Sequence, residues 1–170
     1  MREQTTLLLN GAIETYAGDP TMTLLEWLRG TRRLMGTKEG CAEGDCGACT
    51  VVLAERGETG AVRYRAVNAC ILFMPMLEGK GVITVDRLRG PDGALHPVQQ
   101  AMVDQHGSQC GFCTPGFVMS LYAAYLSERR PDLQRANDLL AGNLCRCTGY
   151  GPIIAAARAM GDAPPPAWDV

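Results

Sequence analysis

Eight cysteines dominate the chemistry open to this 170-residue chain, and they are unevenly spaced. Cys41, Cys46 and Cys49 form C-x4-C-x2-C with Cys70 downstream, Cys110 and Cys113 form C-x2-C, and Cys145 and Cys147 form C-x-C. A free cysteine is common as a small apolar core residue, which accounts for any one of them but not for the clustering. Metal ligation does account for it, because a reducing compartment disfavours structural disulfides. The first set has the plant-type [2Fe–2S] ferredoxin spacing. Such a loop folds round a compact cluster, presents three thiolates and aims backbone N–H groups at the sulfurs, which helps to set the reduction potential. Gly40, Gly44 and Gly47 supply the positive φ and close backbone approach this requires. A structural zinc site also accepts four thiolates, but it favours C-x2–4-C pairs over three close ligands and a distant fourth. Glu43 and Asp45 read as a solvated rim.

The second set is ambiguous when Cys110-Gly111-Phe112-Cys113 stands alone, since C-x-x-C also occurs in thiol–disulfide redox sites and zinc knuckles. Here it lies between helical segments rather than after a strand of a βαβ unit. Cys145 and Cys147 follow in a second loop, and two loops that each precede a helix can converge to give four ligands. A helix amino end near an anionic cluster stabilises an added electron, as does the charge of Arg146, whose alternative role is an ordinary surface salt bridge. His96 and His106 read as a turn residue and a helix-end cap, because cysteine already fills all eight ligand positions.

The elements that must position these sets divide in two. Thr5 to Leu9, the turn Asn10-Gly11 and Ala12 to Tyr16 predict a hairpin. Thr23-Leu24-Leu25-Glu26 has capping-box spacing at the head of a short helix, with Trp27 in the core. Thr50 to Leu53 and Ala61 to Val67 flank a Gly57-to-Gly60 turn as a second hairpin, and Val82 to Val85 supplies another strand. The turn-rich RLRGPDGALHP places a boundary near Arg89 to Ala94. Beyond it, helices are expected at Pro97 to His106, Pro115 to Arg130, Arg135 to Ala141 and Pro152 to Met160, each proline at a first helical position. Thr114 is the expected N-cap of the longest, with Phe117, Leu121, Ala124 and Tyr125 on one face. Gly142 and Gly161 suit the ends of the last two, and Ala163 to Ala167 reads as an extended linker or terminus. The expected domains are 1–88, a [2Fe–2S] ferredoxin-type domain; 89–162, a helical [2Fe–2S]-binding domain; and 163–170, a Pro-rich tail.

Lys plus Arg number 16 against 18 Asp plus Glu, a formal charge of −2. That balance disfavours nucleic acid as a partner. The start MREQTTLLLNG is too short in apolar residues for a signal-peptide core or a membrane span, so a soluble cytoplasmic protein is expected. There is no GxGxxG after a strand, no P-loop, no HExxH and no Ser–His–Asp set. Substrate chemistry is therefore expected on another polypeptide or domain.

Three segments resemble the iron–sulfur domain of molybdenum hydroxylases, and bacterial xanthine dehydrogenase small subunits in particular: GTKEGCAEGDCGACTVVL (Gly36 to Leu53), LHPVQQAMVDQHGSQCGFCTPGF (Leu95 to Phe117) and LLAGNLCRCTGY (Leu139 to Tyr150). The resemblance implies an α+β chain, a β-grasp ferredoxin-like domain followed by an all-α four-helix domain, with one [2Fe–2S] cluster each. It implies electron flow from a molybdenum–pterin centre through the helical-domain cluster, then the ferredoxin-type cluster, to FAD and then NAD. Carried over, Cys110, Cys113, Cys145 and Cys147 bind the molybdenum-proximal cluster and Cys41, Cys46, Cys49 and Cys70 the flavin-proximal one. Gln109 and Cys147 match positions that approach the pterin. The implied partners are a molybdenum-binding large subunit and an FAD-binding subunit or domain, for such small subunits usually continue into a flavin domain where this chain stops at Val170. A free-standing ferredoxin and a zinc-stabilised interaction module are the alternatives. The substrate pocket, for xanthine or another heterocycle or aldehyde, belongs to another polypeptide.

Two clusters on eight thiolates predict about four iron and four sulfide per chain and two distinguishable EPR signals after reduction. Stoichiometric zinc without acid-labile sulfide, or one signal at full iron loading, would contradict this.

Overall fold

Leu7 and Leu9 are buried and Thr6 and Leu8 exposed along β1 (Thr5–Leu9), the period-two alternation of a strand with one face on a core. Asn10 and Gly11 both take positive φ, +52° and +89°, as a tight hairpin turn requires, and β2 (Ala12–Tyr16) returns antiparallel. A computed structural model describes residues 4–127 and 129–169. Its sheet runs β2-β1-β5-β3-β4, with β3 (Thr50–Arg56), β4 (Val62–Asn68) and β5 (Gly81–Ile83). The β1–β5 pair is parallel and the others antiparallel, so the sheet is mixed.

The expected strand Val82 to Val85 is shorter at its end than the sequence suggested. Thr84 leaves the ladder because its N–H donates to the Asn10 side chain at 2.9 Å, and a 3-10 turn, Val85–Arg87, follows. Thr23 caps α1 (Leu24–Glu26) with both arms of the capping box, and the chain widens into a π turn over Trp27–Thr31. That segment buries Leu24, Leu25, Trp27 and Leu28 against Leu7, Leu9, Val51, Leu53 and Val82. Val52 and Ile83 point the other way, into a second core built with the later helices. Consecutive burial of Val51, Val52 and Leu53 follows from β3 being covered on both faces.

The later helices are α2 (Pro97–Asp104), α3 (Thr114–Tyr125), α4 (Leu133–Leu140) and α5 (Gly151–Ala159). Every residue of α3 from Gly116 to Tyr125 is buried, so it is the apolar centre of this half rather than a helix with one buried face. It stops at Tyr125, short of the expected Arg130, and the Ser127 hydroxyl donates back to the Ala124 carbonyl at 3.1 Å. Residue 128 of that expected helix, like residues 1–3 and 170 of the expected domain spans, lies outside the described residues. Cys113, not Thr114, is the cap residue; Thr114 is the first helical residue, and its Oγ1 meets Ser108 Oγ at 2.7 Å. Pro97 leads its helix, whereas Pro115 and Pro152 stand second.

The two halves meet where side chains are smallest. A Cβ on Gly116 would lie 2.2 Å from the Gly47 carbonyl oxygen, and one on Gly47 would lie 2.3 Å from the Gly142 carbonyl oxygen. The tail also docks instead of running free. Trp168 Nε1 donates to the Leu88 carbonyl at 3.3 Å, and Asp169 accepts from Tyr122 Oη at 2.8 Å. His96, 1% exposed, is the N-cap of α2 rather than a plain turn residue: its Nδ1 accepts from Val98 N at 3.2 Å, so Nε2 carries the proton toward Asp169 at 3.3 Å. His106 follows the end of α2 with φ +56°.

Gly116→Ala must displace backbone, and overpacking of this kind costs roughly 1–3 kcal/mol, so its melting temperature is expected several degrees below wild type; an unchanged value would deny the tight seam. Burial lowers the His96 pKa, partly opposed by Asp169. The folded protein therefore refuses a proton that the unfolded chain accepts below about pH 6.5, and stability falls as pH drops through that value toward the lowered one. His96→Asn keeps a capping side chain without the titration. Its unfolding free energy, followed in urea between neutral and mildly acid pH, is expected to vary less than that of wild type.

Candidate metal centre

The Cys41–Cys49 loop bends back on its own sulfurs. Asp45 N and Cys46 N donate to Cys41 Sγ at 3.4 and 3.3 Å, and Gly44 N donates to Cys70 Sγ at 3.2 Å. Gly44 and Gly47 take positive φ, +84° and +71°, and Ala42 does so without being glycine, at +58°. Gly40 does not. Its missing side chain makes room instead, since a Cβ there would lie 2.8 Å from Cys46 Sγ. Cys70 sits in a 3-10 turn after β4 and is tied to the loop by Asn68 Nδ2, which donates to the Gly44 carbonyl at 2.6 Å. The side chains of Glu43 and Asp45 are exposed; their contribution comes through backbone N–H groups.

The second set gathers at the amino ends of α3 and α5. Cys110 and Cys113 precede α3 directly, and Cys145 and Cys147 precede α5 through a bend in which Tyr150 takes φ +67°. Thr148 Oγ1 lies 3.2 Å from Cys145 Sγ and accepts from Tyr150 N at 3.1 Å, while Tyr150 Oη accepts from Cys145 N at 2.9 Å. Cys145 is buried, whereas Cys110 and Cys147 face solvent together with Gln109 and Arg146. Among the described residues Arg146 forms no salt bridge.

The thiols meet in pairs: Cys41 with Cys46, Cys49 with Cys70, Cys110 with Cys147 and Cys113 with Cys145. Two pairs per set match a two-iron cluster, in which each iron takes two thiolates. Backbone N–H groups of Cys46, Glu43 and Asp45 bring the Cys41 thiol down to about 6. Burial opposes ionisation of Cys145, but hydrogen bonds from Thr148, Cys147 and Cys113 outweigh it and bring that thiol to about 7. Burial pushes Cys49 and Cys113 up to about 12. Such sulfurs ionise when a bound cation supplies the missing positive charge.

Two buried amides complete the fit. Neither Gly47 N nor Ala48 N donates to a protein acceptor among the described residues, and both residues are buried. Buried N–H groups are almost always paired, and acid-labile sulfide beside the first cysteine set is a suitable acceptor. The adjoining carbonyls face the helical half: Cys46 O accepts from Leu144 N at 2.9 Å, and Gly47 O accepts from Asn143 Nδ2 at 3.0 Å. Asn143 is 4% exposed and was not among the residues singled out from sequence. Its position two residues before Cys145 is the only linear hint of its role.

Comparison with known proteins agrees with this geometry. A family profile described as "2Fe-2S iron-sulfur cluster binding domain" matches residues 7–74, and one described as "[2Fe-2S] binding domain" matches residues 84–158. The chain is 51% identical over 138 residues to xanthine dehydrogenase of Drosophila pseudoobscura pseudoobscura, covering 80% of this chain and 10% of that protein. It is 48% identical over 141 residues to aldehyde oxidase 1 of Rattus norvegicus, covering 82% of this chain and 11% of that one. The chain thus spans about a tenth of the length of these curated relatives. Among solved structures, quinoline 2-oxidoreductase of Pseudomonas putida 86 superposes with a TM-score of 0.82 at 30% identity, covering 94% of this chain and 93% of the matched one. Paired thiols, two cluster-binding domains and correspondence to that structure over 94% of the chain lead to one assignment: the chain belongs to the molybdenum hydroxylase family, as its two-domain [2Fe–2S] iron–sulfur part.

Proposed function

We propose that Cys41, Cys46, Cys49 and Cys70 hold one [2Fe–2S] cluster, that Cys110, Cys113, Cys145 and Cys147 hold the other, and that the chain conducts electrons inside a xanthine dehydrogenase-like molybdenum hydroxylase. When bound, the clusters supply one-electron carriers between a molybdenum–pterin centre and FAD, which passes electrons on to NAD. In this reading residues 1–88 are a β-grasp ferredoxin-type domain, 89–162 a four-helix domain and 163–170 the tail. A molybdenum-binding large subunit and an FAD-binding subunit or domain are the partners, in the cytoplasm. No helix among the described residues is long and apolar enough to cross a membrane.

The observation that carries the reading is the direct link between the two cysteine loops. Leu144 N–H donates to the Cys46 carbonyl at 2.9 Å, and Leu144 adjoins Cys145. A thiolate of one set is therefore joined to a thiolate of the other by covalent bonds interrupted by a single hydrogen bond. Exposure supports the proposed direction. Cys110, Cys147 and Gln109 form an open edge of the second set, where a partner's pterin can approach, and Gln109 offers both a donor and an acceptor to it.

Purification with native partners tests this: molybdenum, FAD and the iron–sulfur chain are expected to elute together, and a chain that elutes alone would be a diffusing ferredoxin. In the assembled enzyme Gln109→Leu is expected to keep both clusters and to slow reduction of the clusters by substrate several-fold, the effect of one lost hydrogen bond of about 1 kcal/mol. Reduction of the flavin by NADH should be unaffected. Wild-type rates in a fully loaded variant would return Gln109 to the role of an exposed surface residue.

A further inference from the structure

Asn143 is a buried amide with all its visible partners in other elements. Its Oδ1 accepts from Ser120 Oγ in α3 at 2.6 Å, and its Nδ2 donates to Gly47 O at 3.0 Å and to Thr50 Oγ1 at 3.2 Å. Thr50 Oγ1 in turn donates to Gly47 O at 2.7 Å. Gly47 lies inside the first cysteine loop, between Cys46 and Cys49, whereas Asn143 and Ser120 belong to the half that carries the second set. The side chain is therefore not needed to cap or extend any helix of its own. It clamps one carbonyl of a distant loop.

A trans peptide is planar, so its N–H points opposite to its C=O. Holding Cys46 O against Leu144 N and Gly47 O against Asn143 Nδ2 turns the Gly47 and Ala48 amides away from the helical half; both residues are buried, and neither amide donates to a protein acceptor among the described residues. Amides aimed at cluster sulfur stabilise the more negative, reduced state and raise the reduction potential. We propose that Asn143 is a positioning residue for the first cluster: by fixing the Gly47 carbonyl, it sets the orientation of the Gly47–Ala48 amide and thereby the potential of a cluster bound by the other half of the chain. Ser120 acts through it by holding Oδ1, which leaves Nδ2 directed at Gly47. This rests on the reading that Cys41, Cys46, Cys49 and Cys70 hold a [2Fe–2S] cluster.

The test is an EPR-monitored redox titration of the full chain carrying both clusters. Two distinct [2Fe–2S] signals in wild type, with about four iron and four sulfide, establish the underlying reading; without them that reading fails before the variants are considered. In Asn143→Ala the midpoint potential of the first cluster is expected to fall, by up to about tenfold in the one-electron equilibrium, or about 59 mV. Ser120→Ala removes only the hydroxyl that steadies Asn143, and a smaller fall of the same sign is expected at the same cluster. A purely structural amide would lower the melting temperature and leave that potential where it was. An unmoved first-cluster potential in a fully loaded Asn143→Ala protein overturns the proposal. If that variant does not load, an unmoved potential in Ser120→Ala overturns it equally.

Discussion

Gly47 has no side chain, and its surroundings leave room for none: Gly142 and Asn143 close on it from one loop, and Gly116 presses its carbonyl from the first turn of α3. This close approach orders the rest of the site. Gly47 stands between Cys46 and Cys49, Gly116 stands three residues after Cys113, and Asn143 stands two before Cys145. One contact therefore fixes three cysteine-bearing segments relative to one another. The fourth, around Cys70, is tied in through Asn68 and the Gly44 carbonyl. Backbone hydrogen bonds such as Leu144 N to Cys46 O require approach to about 3 Å, and side chains larger than hydrogen at these glycines would hold the loops apart.

The sheet and helices make that seam rigid enough to matter. β3 leads out of the first cysteine loop and is buried on both faces, with Val51 and Leu53 in one core and Val52 in the other. α3 leads out of the second and is buried along almost its whole length. The two loops therefore lead into a strand buried on both faces and a helix buried along almost its whole length. A dense interior transmits displacement poorly absorbed by side-chain motion, so the spacing of the two cysteine sets is tied to the packing of the whole chain. Charge follows the same division. Hydrogen bonds bring the Cys41 and Cys145 thiols down, while burial pushes Cys49 and the half-buried Cys113 up, so that these two depend on a bound cation to ionise.

Much of this was legible in the linear chain because it is governed by local chemistry. Asn10-Gly11 demanded a positive-φ turn, and the Thr23–Glu26 box and the cysteine spacings each depend on residues only a few positions apart. The limits of β5 and α3 were not legible, because Thr84 is diverted by Asn10 across the fold and the Ser127 hydroxyl turns back to the Ala124 carbonyl just past α3. Thr114 looked like a cap from its type alone; its hydroxyl instead meets Ser108, a partner that the local pattern does not announce. The tail looked extended because of its prolines, yet Trp168 and Asp169 find Leu88, Tyr122 and His96 only once the halves are assembled.

By itself, then, the sequence determined which residues carry sulfur, how they are grouped and which turns are possible, since each is a property of neighbours along the chain. The pairing of thiols across loops, the empty space that Gly40, Gly47 and Gly116 provide, and the clamp formed by Asn143 were decided only by tertiary structure. The reason is geometric: Gly47 and Asn143 are separated by most of the chain, and a hydrogen bond between them can exist only after two cores have brought their loops within 3.0 Å.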